Sequence, residues 1–136
     1  MTSSSKQMPG SVLIVDASDD SREVLRTILS KRGVQIFEAR EENTGLAIAK
    51  TEHPKVIVVD IDAPTNDLAV CDELAEQADI DRASGVLLGS IRHWKGTTPR
   101  EIVRKPYHFA PLIRKIEALL AESSCESQSP ATRNAA

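Results

Sequence analysis

Two stretches, Val12–Val15 and Val56–Val59, are unbroken aliphatic runs, and each is closed by an aspartate, Asp16 and Asp60. A run that is apolar at every position has no side to offer water, so it fits a strand covered on both faces, as in a parallel sheet. Shorter runs at Gln35–Glu38, Val86–Leu88 and Ile102–Arg104 supply three more strand candidates. Between them lie helical patterns: Ser21–Lys31, with Val24, Leu25, Ile28 and Leu29 on one stripe, Thr44–Thr51, Leu68–Gln77 and Ala110–Ala121. In the last, Leu112, Ile113, Ile116, Leu119 and Leu120 recur at helical spacing. Gly33 reads as the C-terminal cap of the first helix, and His53-Pro54 ends the second. Strand and helix alternating in this way imply an α/β fold, a doubly wound parallel sheet of five strands.

One connection departs from that plan. Only ten residues, Ile91 to Arg100, return the chain from the fourth strand to the fifth, and Gly96, Thr97, Thr98 and Pro99 lie among them. A parallel crossover that carries a helix takes about ten to twelve residues at least, so the fourth helix is expected to be shortened or missing.

The chain's 136 residues suit one domain. Residues 1–10 and 122–136 contain almost nothing able to enter a core and are expected to be disordered tails around a domain at 11–121. A formal charge of −3 without a dense Lys/Arg cluster argues against nucleic acid as a partner. No apolar run approaches the roughly 20 residues that cross a bilayer, and the start MTSSSKQMPG lacks the apolar centre of a signal peptide, so a cytoplasmic protein without membrane contact is expected. Cys71 and Cys125 have neither the number nor the spacing of a disulfide framework or a zinc site and read as reduced thiols.

In a doubly wound sheet the functional crevice lies beyond the carboxyl ends of the strands, where strand order reverses. Asp16 and Asp60 would both end central strands there, although Asp is depleted in strands and costly to bury. Asp19, Asp20, Asp62 and Asp67 thicken the acidic field, and hard oxygen donors of this kind suit Mg²⁺, which needs only one or two carboxylates. Ser90, after the fourth strand, offers a hydroxyl donor, and Lys105, after the fifth, offers a compact positive charge for a phosphoryl oxygen.

Acid, acid, hydroxyl and ammonium in that order resemble the receiver domain of bacterial two-component response regulators. The likeness is carried by VLIVDASDDSREVL, HPKVIVVDIDAPTND, VLLGS and VRKPYHFAPLIRKIEALL, which together run from about Ser11 to Ala121. It implies a flavodoxin-like sheet in the order 2-1-3-4-5. It also implies Asp60 as phosphoacceptor, Asp16 in the acidic pocket, Asp62 as a metal ligand through its backbone carbonyl, and Ser90 and Lys105 as phosphoryl contacts. The expected metal set is therefore Asp16, Asp60 and Asp62 holding Mg²⁺. The expected donor is a histidine kinase or phosphotransfer protein, the downstream target is a protein the sequence does not identify, and a homodimer is left open.

The chain also departs from the family. Ala17 stands where a second acid normally ligates the metal directly; Asp19 or Asp20 are the candidate substitutes, while Asp20 with Glu23 also has capping-box spacing for the first helix. Leu68 replaces a glycine after the phosphoacceptor loop, Ile91 replaces a small residue beside Ser90, and Ile102 occupies the place of a switching aromatic. His53 and His108 have no metal-ligand partner at useful spacing. Trp94, with Arg92, His93 and Lys95 in the shortened crossover, reads as a cover for the bared sheet edge ahead of a partner contact. Two functions compete: a stand-alone receiver phosphorylated on Asp60 in a phosphorelay, and a pseudo-receiver that is not phosphorylated and binds a partner constitutively. With no Gly-rich phosphate loop and no Ser/His or Cys/His pair, an enzyme is not expected.

Overall fold

The structure is a computed structural model that describes residues 10–60, 68–89, 100–103 and 108–135, with the backbone alone at residues 68, 100–102 and 123–135. The strands are β1 (Ser11–Val15), β2 (Gln35–Ala39), β3 (Val56–Asp60), β4 (Ser84–Leu88) and β5 (Arg100–Val103). The helices are α1 (Asp19–Lys31), α2 (Glu42–Glu52), α3 (Leu68–Asp81) and α4 (Phe109–Ala135). All strand pairs are parallel and the order is β2-β1-β3-β4-β5, the doubly wound sheet expected from the alternation of runs. Residues 90–99, where the shortened fourth helix was expected, lie outside the described residues.

The apolar runs behave as their composition requires. On β1, Val12 and Ile14 enter one core with Leu25 and Leu29 of α1 and Leu112, Ile113, Ile116, Leu119 and Leu120 of α4. Leu13 and Val15 point the other way, into a second core with Leu46 and Ala49 of α2 and Leu74, Ala75 and Ala78 of α3. β3 repeats the division, Val56 and Val58 to one side and Ile57 and Val59 to the other. Each such side chain gains about 1.5–3 kcal/mol by leaving water, which is why a central strand tolerates no polar position along its length. An aspartate becomes affordable only where the strand ends.

Several boundaries differ from the sequence reading; β5, for one, covers Arg100–Val103 rather than Ile102–Arg104, and α3 runs on to Asp81 rather than Gln77. β4 begins at Ser84 rather than Val86, because Gly85 pairs with Ile57 despite glycine's poor strand propensity. α1 begins at Asp19 with Ser18 as its N-cap, whose side chain accepts from the Ser21 amide at 3.2 Å. The Asp20–Glu23 capping box is therefore not formed; both Asp19 and Asp20 lie inside the first turn, where the helix dipole favours their charge. α4 continues to Ala135, past the limit at Ala121 set by its apolar stripe, whose last buried positions among the described side chains are Leu119 and Leu120. α2 ends at Glu52 and is capped by His53, which adopts a left-handed φ of 52° and places its Nδ1 3.0 Å from Asp81 Oδ1 at the end of α3.

α2 rests on β1 at a glycine. A Cβ added to Gly45 would stand 2.6 Å from Val15 Cγ2 and 3.7 Å from Ala39 Cβ. The absence of a side chain at position 45 is what lets the first turns of α2 descend onto the carboxyl ends of β1 and β2.

Candidate functional site

Strand register assembles the site. β1 and β3 pair with Val15 opposite Val59, so the next residues, Asp16 and Asp60, continue the same row at the carboxyl edge, on strands about 4.8 Å apart. Asp60 is itself opposite Leu88 on β4, and Leu88 is opposite Val103 on β5. Ser90 and Lys105 each follow that row by two residues, but both lie outside the described residues, as do Asp62 and Asp67.

The two acids differ in environment. Asp16 is 4% exposed. Its amide donates to the Ala39 carbonyl at 3.0 Å, extending the β1–β2 ladder by one step, and its Oδ1 accepts from the Ser18 amide at 2.8 Å. That second bond is an Asx turn that leads straight into the Ser18 cap, so the geometry of Asp16 and the start of α1 are one local structure. Asp60 is half-buried, and thus reachable from solvent at the end of a strand whose other residues are sealed.

Asp19 does not take the place of the acid absent at position 17. It is 68% exposed and pairs with Arg22 and with Arg40, the latter at 3.5 Å. Arg22 also reaches Glu38 at 3.2 Å, and Arg26 reaches the same carboxylate at 2.8 Å. The Glu38 hydrogen bond and charge raise the Arg26 pKa, so the guanidinium stays charged throughout the working range. The chain Arg40–Asp19–Arg22–Glu38–Arg26 ties α1 to the edge strand β2 and shields that edge with charge. Asp20 is exposed on the first turn of α1.

Two features of the rim escaped the sequence reading. Glu42, the first residue of α2, is 5% exposed; Asp16 and Glu42 are the buried charged residues among those described. The available signal was its spacing from Gly45, Leu46 and Ala49, which puts a glutamate on the core-facing stripe of the helix. Gly89 has a φ of 122° and donates its amide to the Val103 carbonyl at 2.8 Å. Only glycine adopts that conformation without strain, so the chain leaves β4 toward Ser90 through an obligatory glycine.

Asp16 and Asp60 offer hard oxygen donors from two adjacent strand ends. That donor chemistry fits Mg²⁺, which binds through one or two carboxylates and keeps several waters. Among the described residues no group of three or more acidic, histidine or cysteine side chains is placed to hold a metal ion. Two opposed carboxylates should repel one another without a cation. Replacing Asp60 by Asn is expected to stabilise the metal-free protein by about 1 kcal/mol. Thermal melts in a chelating buffer test this: a lower melting temperature for Asp60→Asn would show that the acids do not oppose each other.

The fold matches solved structures. The receiver domain of the Francisella response regulator 1452 superposes with a TM-score of 0.68 at 18% identity, over 85% of this chain and 99% of that one. A response regulator receiver modulated diguanylate cyclase from Pelobacter carbinolicus gives a TM-score of 0.70 at 22% identity, over 88% and 99%. The fold is that of a response regulator receiver domain. Sequence relatives agree. Protein PilH of Pseudomonas aeruginosa is 28% identical over 117 residues, 81% of this chain and 97% of PilH. The probable transcriptional regulator ycf27 of Porphyridium aerugineum is 32% identical over 105 residues, 67% of this chain and 44% of that protein. The receiver chain spans 41–53% of the length of three ycf27 relatives. No protein-family model matches it. No helix among its described residues is long and apolar enough to cross a membrane.

Proposed function

We propose that this receiver domain accepts a phosphoryl group on Asp60 from a histidine kinase or phosphotransfer protein in the cytoplasm, and signals by protein–protein contact as part of a two-component phosphorelay. The observation that carries the reading is the register that sets a half-buried Asp60 beside a buried Asp16 at the carboxyl edge of the sheet. In the transfer, an Asp60 carboxylate oxygen forms the new bond to phosphorus as the phosphorus–nitrogen bond of the donor phosphohistidine breaks. The leaving imidazole keeps the electron pair and takes up a proton. Asp16, Asp60 and Asp62 would hold Mg²⁺, which when bound offsets the repulsion between the attacking carboxylate and the phosphoryl oxygens. Ser90 would donate its hydroxyl, and Lys105 its ammonium, to those oxygens. The packed domain is assigned to residues 11–121, and it acts as a signalling module rather than an enzyme.

A second reading has its own support. Ala17 provides no carboxylate, and Asp19 is engaged by Arg22 and Arg40, which favours a pseudo-receiver that keeps the fold, is not phosphorylated and binds its partner constitutively. Incubation with Mg²⁺ and acetyl phosphate, followed by intact mass spectrometry, separates the two. A gain of one phosphoryl group supports the first reading; no gain with either acetyl phosphate or a cognate kinase supports the second.

A further inference from the structure

We infer that Ser18 is a positioning residue for the proposed transfer to Asp60: through its amide it fixes the carboxylate of Asp16, so that the buried acid on the neighbouring strand end holds one orientation. The inference rests on the proposed phosphoryl transfer and adds to it a residue that touches none of the reacting atoms. The terminal torsion of an aspartate is broad and roughly two-fold, so the backbone of β1 sets where the Asp16 carboxylate stands but not how it is turned. The Ser18 amide, donating to Oδ1 at 2.8 Å, supplies that constraint. A hydrogen bond to an ionised acceptor is among the stronger ones, and at 4% exposure Asp16 has little water to take its place.

Ser18 can hold Asp16 because it is itself held. Its hydroxyl accepts from the Ser21 amide at 3.2 Å and its carbonyl accepts from the Arg22 amide at 3.2 Å. The Arg22 side chain reaches Glu38 of β2 at 3.2 Å, and the next residue of that strand, Ala39, accepts the Asp16 amide at 3.0 Å. These bonds close a circuit from Asp16 to Ser18, to Arg22, to the end of β2 and back to Asp16. An ordinary N-cap needs only the bonds within the first turn. The bond to a buried acid at the sheet rim is additional, and Ala17, exposed between the two residues, has no polar side-chain group to replace it.

Rates of phosphoryl uptake from acetyl phosphate by the full chain, with Mg²⁺ present and read by intact mass, test the inference. Ser18→Pro removes the amide hydrogen at a φ of −80°, which the proline ring allows. Uptake should slow about tenfold or more, the usual effect of losing a hydrogen bond that orients a ligating carboxylate. Ser18→Asn keeps the amide and a capping oxygen and should stay within about twofold of wild type. Because Ser18 acts through Asp16, adding Ser18→Pro to Asp16→Ala should slow uptake by less than about twofold further, whereas a cap that served helix stability alone would multiply the two losses. Ser18→Ala guards against a proline variant that fails to fold: it keeps the amide but loosens the turn, and should slow uptake about threefold in the wild-type background and not in Asp16→Ala. A wild-type rate in Ser18→Pro, or losses that multiply, would overturn the role of Ser18 and leave Asp60 as the acceptor. A wild-type protein that takes up no phosphoryl group would overturn both.

Discussion

Asp60→Asn should take up no phosphoryl group under conditions in which the wild-type protein gains one. The reason is covalent rather than electrostatic. An amide oxygen carries no full negative charge and cannot form a stable acyl phosphate, so the loss should be complete and not a matter of degree. The same experiment contains its controls. Omitting Mg²⁺ should stop uptake in the wild type, since nothing else then offsets the repulsion between two anions. Asp16→Asn keeps the nucleophile but removes half of the described oxygen donors, and uptake should slow by about tenfold or more. Hydroxylamine should discharge the phosphorylated protein, because an acyl phosphate reacts with it and a serine phosphate does not. Uptake that persists in Asp60→Asn would place the acceptor elsewhere and overturn the assignment.

Most of the sheet was legible because burial on both faces leaves an unmistakable trace. VLIVD and VIVVD are apolar without alternation, and the structure sends their successive side chains into two cores that only helices on both faces create. The stripe Leu112, Ile113, Ile116, Leu119, Leu120 was equally plain, since every member is buried against one face of the sheet. Features set by tertiary packing were not. Ser18 rather than Asp20 caps α1, because the Asp16 carboxylate holds the Ser18 amide and turns the chain into the helix early; the box spacing of Asp20 and Glu23 carries no trace of that bond. Glu42 resembles an ordinary first-turn acid until the close approach of α2 shows that its face is covered. Gly85 and Gly89 are alike in sequence, yet one pairs inside β4 and the other leaves it at positive φ. Of the candidate site, Asp16 and Asp60 could be located by the strands they terminate, whereas Asp62, Ser90 and Lys105 fall outside the described residues.

Gly45→Ala should destabilise the protein although it improves the helix. In an exposed helix interior, alanine is better than glycine by about 1 kcal/mol. At position 45 the new methyl would stand 2.6 Å from Val15 Cγ2, too close for the two to coexist without movement. Val15 cannot easily yield: it is β-branched and therefore stiff about χ1, its strand is paired on both sides, and it is 2% exposed in the core. The helix must move instead, against its contacts to Ala39 and the core around Leu46 and Ala49. Overpacking of this kind costs about 1–3 kcal/mol, so a net loss of up to about 2 kcal/mol is expected after the propensity gain, seen as a fall of a few degrees in melting temperature. Val15→Ala should rescue it in part. Alone, that change opens a cavity; combined with Gly45→Ala, the added methyl occupies the space, and the double mutant should be more stable than the sum of the single losses by about 0.5–3 kcal/mol. Strict additivity would mean that the two residues do not touch. A Gly45→Ala protein more stable than wild type would mean that α2 stands off from β1.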